Sequence, residues 1–187
     1  MVRYGLAMRV KNIARTGWMM RGVPPSDSET VSSHSFEVAF LSMLLADRLM
    51  SIGVNVDVSK VLRSALLHDL AESVIGDIVR AVKESIGSSQ QLEERAIREL
   101  GMDNYIDIYQ ELLEGRSLEA ILIRVCDNLA TLLQGLRYLS KGYTSVIDIV
   151  ESTKQRIEEI LKSEQLPEEA RRVLSDSVMK LMVSEEF

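Results

Sequence analysis

Two histidines are all the imidazoles this chain has, and each stands beside residues that could share chemistry with it. His68 is followed at once by Asp69 and, one turn on, by Glu72. The three continue the stripe Val58, Val61, Leu62, Ala65 and Leu66, which should face a core. An inward carboxylate is avoided unless it is paired or bound to a cation. A divalent metal is one solution for a His–Asp pair facing inward; a helix end that lifts all three into solvent is the other. His34 opens a second segment, apolar on almost every side from Phe36 to Leu45, where it could cap a helix or face the same site. Asp127 interrupts the apolar stretches 120–126 and 129–133, where propensity and desolvation both disfavour an acid. Pairing with Arg124, one turn back, is its structural alternative. A site needing three or more imidazoles is excluded.

Helices must position these groups, because nearly every segment shows helical periodicity and no period-2 strand is evident. The spacing predicts a short amphipathic helix at 4–14 and a loop through Gly17, Gly22, Pro24 and Pro25 to Ser32. A strong helix follows at 34–51 with Ser33 as its N-cap, then one at 58–73 capped by Asp57. Gly76 breaks the second. Shorter helices are predicted near 77–85, 89–100 and 103–114. Ser117 caps a long helix to about Lys141, with Gly142 just past its end. Helices at 144–163 and 167–182 close the chain, with Pro167 in the first turn of the last. No linker or repeat divides it, so one all-α domain over residues 1–187 is expected, its final helices packing on their own domain or on a partner subunit.

The 187 residues suffice to bury a core without staples. One cysteine excludes a disulfide scaffold and favours a reducing compartment. No apolar run approaches the roughly 20 residues of a membrane span, so a soluble cytoplasmic protein is expected. The net charge of −6 is unevenly spread. Residues 1–26 hold five basic side chains and no acid, whereas the rest holds 17 basic and 28 acidic, a balance of −11. A basic start on an acidic body could be a nucleic-acid arm, a transit peptide or a phosphate-binding edge, and the segment is too short and mixed for a general nucleic-acid surface.

Placed in order, His34, His68-Asp69 and Asp127 resemble the H…HD…D signature of the HD-domain metal phosphohydrolases. The stretch from His68 through Glu72 and Gly76-Asp77-Ile78 is similar to the HDxAExxxGDI block of the 5′-deoxynucleotidase branch. Arg15-Thr-Gly-Trp18 with Arg21, and Glu29 through His34-Ser35, are similar to that branch's RxGWxxR and ESVxxHS blocks. Glu93-Glu94-Arg95-Ala96 matches a later EExA stretch. The resemblance covers about residues 9–134.

The resemblance implies a compact multi-helix bundle with a metal site in its core. His34, His68, Asp69 and Asp127 would hold one divalent ion per chain, such as Mn2+, Co2+ or Zn2+. Glu72 would be the catalytic carboxylate beside the attacking water. Arg15 and Trp18 would line a nucleotide pocket, and Asp77 would reach the deoxyribose or its leaving oxygen. A homodimer acting on a small nucleotide, without nucleic-acid polymer or membrane, follows. Two departures, Ser33 before His34 and Ala130 three residues after Asp127, stand where the branch commonly has acids, which bears on substrate preference. Hydrolysis of a tri- or tetraphosphate fits less well, since no histidine is left for added phosphates. A non-catalytic sensor would have no need of Glu72, and a bare helical scaffold no need of the set. By composition alone Trp18 reads as core, and only the RxGW context moves it to the pocket. Cys126 points about 100° away from Asp127 and reads as core, and Tyr105 with Tyr109 as a pair without evident chemistry.

Overall fold

The computed structural model describes residues 1–79, 82–83 and 89–184, and these form helices joined by short turns. The element order is α1 (Tyr4–Ala7), a 3-10 turn (Met8–Lys11), α2 (Thr16–Met19), α3 (Val31–Ser51), α4 (Val58–Leu67) and α5 (Glu72–Ile75). It continues through α6 (Ser89–Glu99), α7 (Ile106–Glu114), α8 (Leu118–Ser140), α9 (Ile147–Leu161) and α10 (Glu168–Ser184). Part of the helix predicted near 77–85 lies outside the described residues. Among those described, the extended pairing is an isolated antiparallel bridge between Ala14 and Thr30.

Helix α8 is the axis of the bundle, packed by α3, α4, α7 and α9. Its buried face includes Leu122, Ile123, Leu129, Leu132 and Leu133, each exposed by 1% or less. Burying a side chain of this size contributes roughly 1.5–3 kcal/mol, so α8 holds its place against the polar groups it must carry. Smaller clusters flank this core: Leu67, Ala71, Ile97, Leu100 and Tyr109 on one side, and Trp18, Val23, Tyr138 and Val146 on the other. Helix α10 packs on α3 and α9 of its own chain, with Ala170 and Leu174 fully buried. Its first helical residue is Glu168, and Pro167 stands one position earlier than predicted, its carbonyl accepting from the Arg171 amide.

Two helix boundaries depart from the pattern in ways that matter to the site. Helix α3 begins at Val31, not 34, because Thr30 is the N-cap. Thr30 Oγ1 accepts from the Ser33 amide and Ser33 Oγ accepts from the Thr30 amide, a capping box that makes Ser33 its third residue. His34 is thereby inside the helix and fully buried, not at an open end. Helix α4 ends at Leu67, not 73. The His68 ring donates from Nδ1 to the Ala65 carbonyl at 2.7 Å, competing for the oxygen that the helix would offer to Asp69. The chain then tightens into three-residue turns, with the Leu70, Glu72, Ser73 and Val74 amides bonded to Leu67, Asp69, Leu70 and Ala71 carbonyls.

Gly135 marks where α8, α9 and Trp18 meet most tightly. A Cβ there would lie 2.6 Å from Val150 Cγ2 and 3.4 Å from the Trp18 ring. Val150 is β-branched and cannot swing away cheaply. Gly135→Ala should therefore destabilise the fold by about 1–3 kcal/mol, read as a lowered urea midpoint at unchanged slope. A midpoint equal to the parent's would show that α9 yields freely.

Candidate active site

Four elements bring ionisable side chains together beside a cavity of about 550 Å3, whose wall includes Asp69, Glu72 and Asp127. Helix α3 brings His34, the turns after α4 bring His68 and Asp69, α5 brings Glu72, and α8 brings Asp127. His34 Nε2 lies 3.0 Å from Asp127 Oδ1 and 3.8 Å from Asp69 Oδ2. His68 Nε2 lies 3.3 Å from the same Asp69 oxygen. Ligand atoms of His34, His68 and Asp127 all fall within 4.8 Å of one another. Asp127 thus faces His34 across the bundle rather than pairing with Arg124, whose side chain instead packs over Gly115.

The donor set fits a divalent cation. His68 Nε2 is buried with no hydrogen-bond donor or acceptor satisfying it. Because Nδ1 carries the proton given to Ala65, the neutral ring presents its Nε2 lone pair to the site. Two imidazoles and two carboxylates suit Mn2+, Co2+, Zn2+ and related ions without selecting among them.

Charge is unevenly matched among these side chains. Burial opposes protonation of His68, but the Asp69 carboxylate overrides it and the pKa rises to about 9. Burial likewise opposes the Asp69 charge, yet His68 and Arg15 hold its pKa well below the usual range. Asp127 is also lowered, by the His34 hydrogen bond and charge working against burial. Glu72, 4% exposed, is pushed up to about 10 by burial and then by the Asp69 and Asp77 charges. Its Oε2 is buried without a hydrogen-bond partner.

Arg15 arrives by the Ala14–Thr30 bridge, where its own amide donates to the Glu29 carbonyl. Its Nη1 donates to Asp69 Oδ2 at 3.0 Å. Burial works against the guanidinium charge, but Asp69, Glu29 and Asp127 raise its pKa above the ordinary value. Asp77 also lines the cavity, while one of its carboxylate oxygens caps the Thr16 amide at the start of α2. The left-handed Gly76, φ 80°, turns the chain toward that contact. Trp18 borders the cavity but is 2% exposed. Its main contacts are an edge-on packing with Tyr138, centroids 5.1 Å apart, and an Nε1–H donated to Glu29 at 2.7 Å.

Not all of the basic N-terminal edge faces this cavity. Arg3 pairs with Glu99 on the surface, and Arg21, at the cavity rim, pairs with Asp148. Cys126 is fully buried away from the site, and burial pushes its thiol up to about 12.

Several residues around the site had no role in the sequence reading. Glu29 lies 3.9 Å from His34 Nδ1 and 3.7 Å from Arg15 Nε while accepting from Trp18. Lys83 lies 3.6 Å from Glu72 and 3.1 Å from Glu93. Tyr109 is not a bystander paired with Tyr105: it is 1% exposed and donates to Glu93 at 3.1 Å. Arg156, Ser152 and Thr153 of α9 complete the cavity wall. Glu29 and Glu93 stand inside the motif blocks, the one signal that pointed to them.

A family model of the HD domain matches residues 7–168. The 5′-deoxynucleotidase HDDC2 of Dictyostelium discoideum is 31% identical over 140 residues, which are 70% of this chain and 72% of that protein. The Homo sapiens protein of the same name is 30% identical over 140 residues, 71% of this chain and 65% of its own length. Among solved structures, a conserved hypothetical protein from Pyrococcus furiosus superposes with a TM-score of 0.83 at 28% identity, covering 96% of both chains. A protein from Pyrococcus horikoshii OT3 gives 0.82 at 31% identity over 95% of both. The chain therefore belongs to the HD-domain family.

Proposed function

We propose that this protein is a metal-dependent 5′-deoxynucleotidase that removes the 5′-phosphate from deoxynucleoside monophosphates. The observation that carries the reading is the unpartnered Oε2 of buried Glu72, which lines one cavity with Asp69 and Asp127, the latter grouped with His34 and His68. Curated relatives named 5′-deoxynucleotidase support the substrate class.

His34, His68, Asp69 and Asp127 would hold the divalent ion. When bound, such an ion supplies a water of lowered pKa and positive charge for phosphoryl oxygens. Arg15 has five N–H donors, of which Nη1 is engaged with Asp69, and the rest of its fork is suited to a phosphate dianion. Glu72 takes a proton from the attacking water at Oε2 and returns one to the 5′-oxygen as the P–O bond breaks. Asp77, with one oxygen committed to Thr16, offers the other to a deoxyribose hydroxyl. Trp18 fixes the wall rather than stacking broadly on a base, as its burial leaves only an edge for contact.

We further propose a cytoplasmic homodimer. The free, buried Cys126 is compatible with a reducing compartment, and among the described residues no helix is long and apolar enough to cross a membrane. Phe36 and Phe40 are 73% and 49% exposed and stack at 6.5 Å, an apolar patch of the kind that supports self-association.

Glu72→Gln should keep its metal and lose roughly 100- to 10,000-fold in kcat for phosphate release from deoxynucleoside monophosphates with added Mn2+ or Co2+. Asp127→Ala should lose the metal itself, seen by elemental analysis after dialysis. Normal turnover in the first variant would remove Glu72 from proton transfer, and normal metal content in the second would remove Asp127 from the site. No phosphate from any monophosphate, with metal bound, would overturn the function.

Metal uptake should also release protons. In the metal-free protein His68 has a pKa of about 9, so near pH 7 it is protonated and its Nε2 lone pair is occupied. Binding a cation at Nε2 must expel that proton, so affinity should rise about tenfold per pH unit until pH nears 9. Calorimetric titration with Mn2+ near pH 7, in buffers of different ionisation enthalpy, should report proton release to which His68 contributes about one. Heats that do not depend on the buffer would exclude His68 as a ligand.

A further inference from the structure

Glu72 is also one end of a second chain of polar contacts. Tyr109 of α7 donates its hydroxyl to Glu93 Oε2 at 3.1 Å. The other Glu93 oxygen, Oε1, holds Lys83 Nζ at 3.1 Å. The same ammonium lies 3.6 Å from Glu72 Oε1. Glu93 is 7% exposed and Tyr109 is 1% exposed, so both partners are held in the interior by packing. Glu93 therefore has both oxygens engaged, and Lys83 is anchored on one side to a fixed acceptor.

The far end of this chain is the carboxylate assigned to proton transfer. The terminal torsion of a glutamate is broad, so helical packing alone does not decide how its two oxygens point. In this protein one oxygen faces a tethered cation and the other, Oε2, is bare in the buried site. We propose that Lys83 is a positioning residue for Glu72: anchored by Glu93 and Tyr109, it holds Oε1 and so aims Oε2 at the reacting water. The role explains why the Glu93 block belongs with the site although Glu93 does not line the cavity. It rests on the assignment of Glu72 in the proposed function.

Lys83 does line the cavity, so an independent contact with substrate phosphate is the competing account. A mutant cycle separates the two. With deoxynucleoside monophosphate and Mn2+, Lys83→Met should lower kcat roughly 10- to 100-fold with KM and bound Mn2+ unchanged. Lys83→Arg should recover part of the loss, and Glu93→Gln should lower kcat in the same sense by less. In a Glu72→Gln background, Lys83→Met should add nothing. Losses that multiply, or a raised KM in Lys83→Met, would mean that Lys83 acts on substrate directly and would overturn the proposal. A crystal structure of Mn2+-loaded Lys83→Met gives a readout free of turnover: the Glu72 carboxylate should leave its place while His34, His68, Asp69 and Asp127 keep theirs. An unmoved Glu72 carboxylate overturns the proposal even if no nucleotide is hydrolysed, and that absence of hydrolysis would separately overturn the function.

Discussion

The carboxylates of Asp69, Glu29, Asp127 and Glu72 all act on the guanidinium of Arg15. One guanidinium cannot offset four carboxylates. In the metal-free protein protons make up part of the difference, with His68 holding its proton to about pH 9 and Glu72 to about pH 10. A divalent cation held by the imidazoles and carboxylates would offset the same charge without those protons. Glu72 would then be the group free to change its protonation. The rest of the structure keeps this excess negative charge in place against its own repulsion.

That task is met by local devices, each within a few residues of the group it orients. The Ala14–Thr30 bridge and the Thr30–Ser33 capping box lie side by side, so the segment carrying Arg15 and the helix carrying His34 share one anchor. The His68 ring stops α4 by taking the Ala65 carbonyl, and the same bond fixes which nitrogen faces the site. Asp77 binds the Thr16 amide and so ties the turn after α5 to the Arg15 segment. Each device orients a polar group by ending or starting a helix, and the apolar faces of α3, α4 and α8 are left intact to hold the bundle.

Much of this was legible in the sequence, and the reasons are physical. Helical periodicity marks α3, α4 and α8 because their apolar faces must meet a core, and polar residues that violate such a face stand out. His68, Asp69, Glu72 and Asp127 are visible on that ground. The caps at Asp57 and Ser117 are local and were readable, each accepting an amide three residues on. The Thr30 cap was missed because Ser33 offers the same chemistry three positions later, and either could start a helix. The end of α4 was missed because periodicity continues through His68 and only the ring's bond to Ala65 interrupts it. Contacts between distant segments are not readable from periodicity: Glu93 with Tyr109, 16 residues apart, was beyond reach, and His34 with Asp127, 93 apart, was reached only through the family resemblance. Residue type suggests partners there, and only the packing of α6 on α7 or α3 on α8 brings them together.

Trp18 shows why core and pocket are not alternatives in this site. Its ring packs on Tyr138 and abuts Gly135, which is core behaviour, while its edge borders the cavity. Its indole N–H is spent on Glu29, the acid that also faces Arg15 and the far nitrogen of His34. The Glu29 amide in turn donates to the Tyr138 hydroxyl, which itself donates to the Asp27 carbonyl. Wall, guanidinium and histidine are thus held by one acid on one loop. Removing the indole donor would leave a buried carboxylate short of a partner beside His34, at a cost of about 1–3 kcal/mol, with the strain delivered to the imidazole and Arg15 rather than to the wall alone. In this geometry the pocket's shape and the placement of its charges are set by the same contacts, so neither can change without the other.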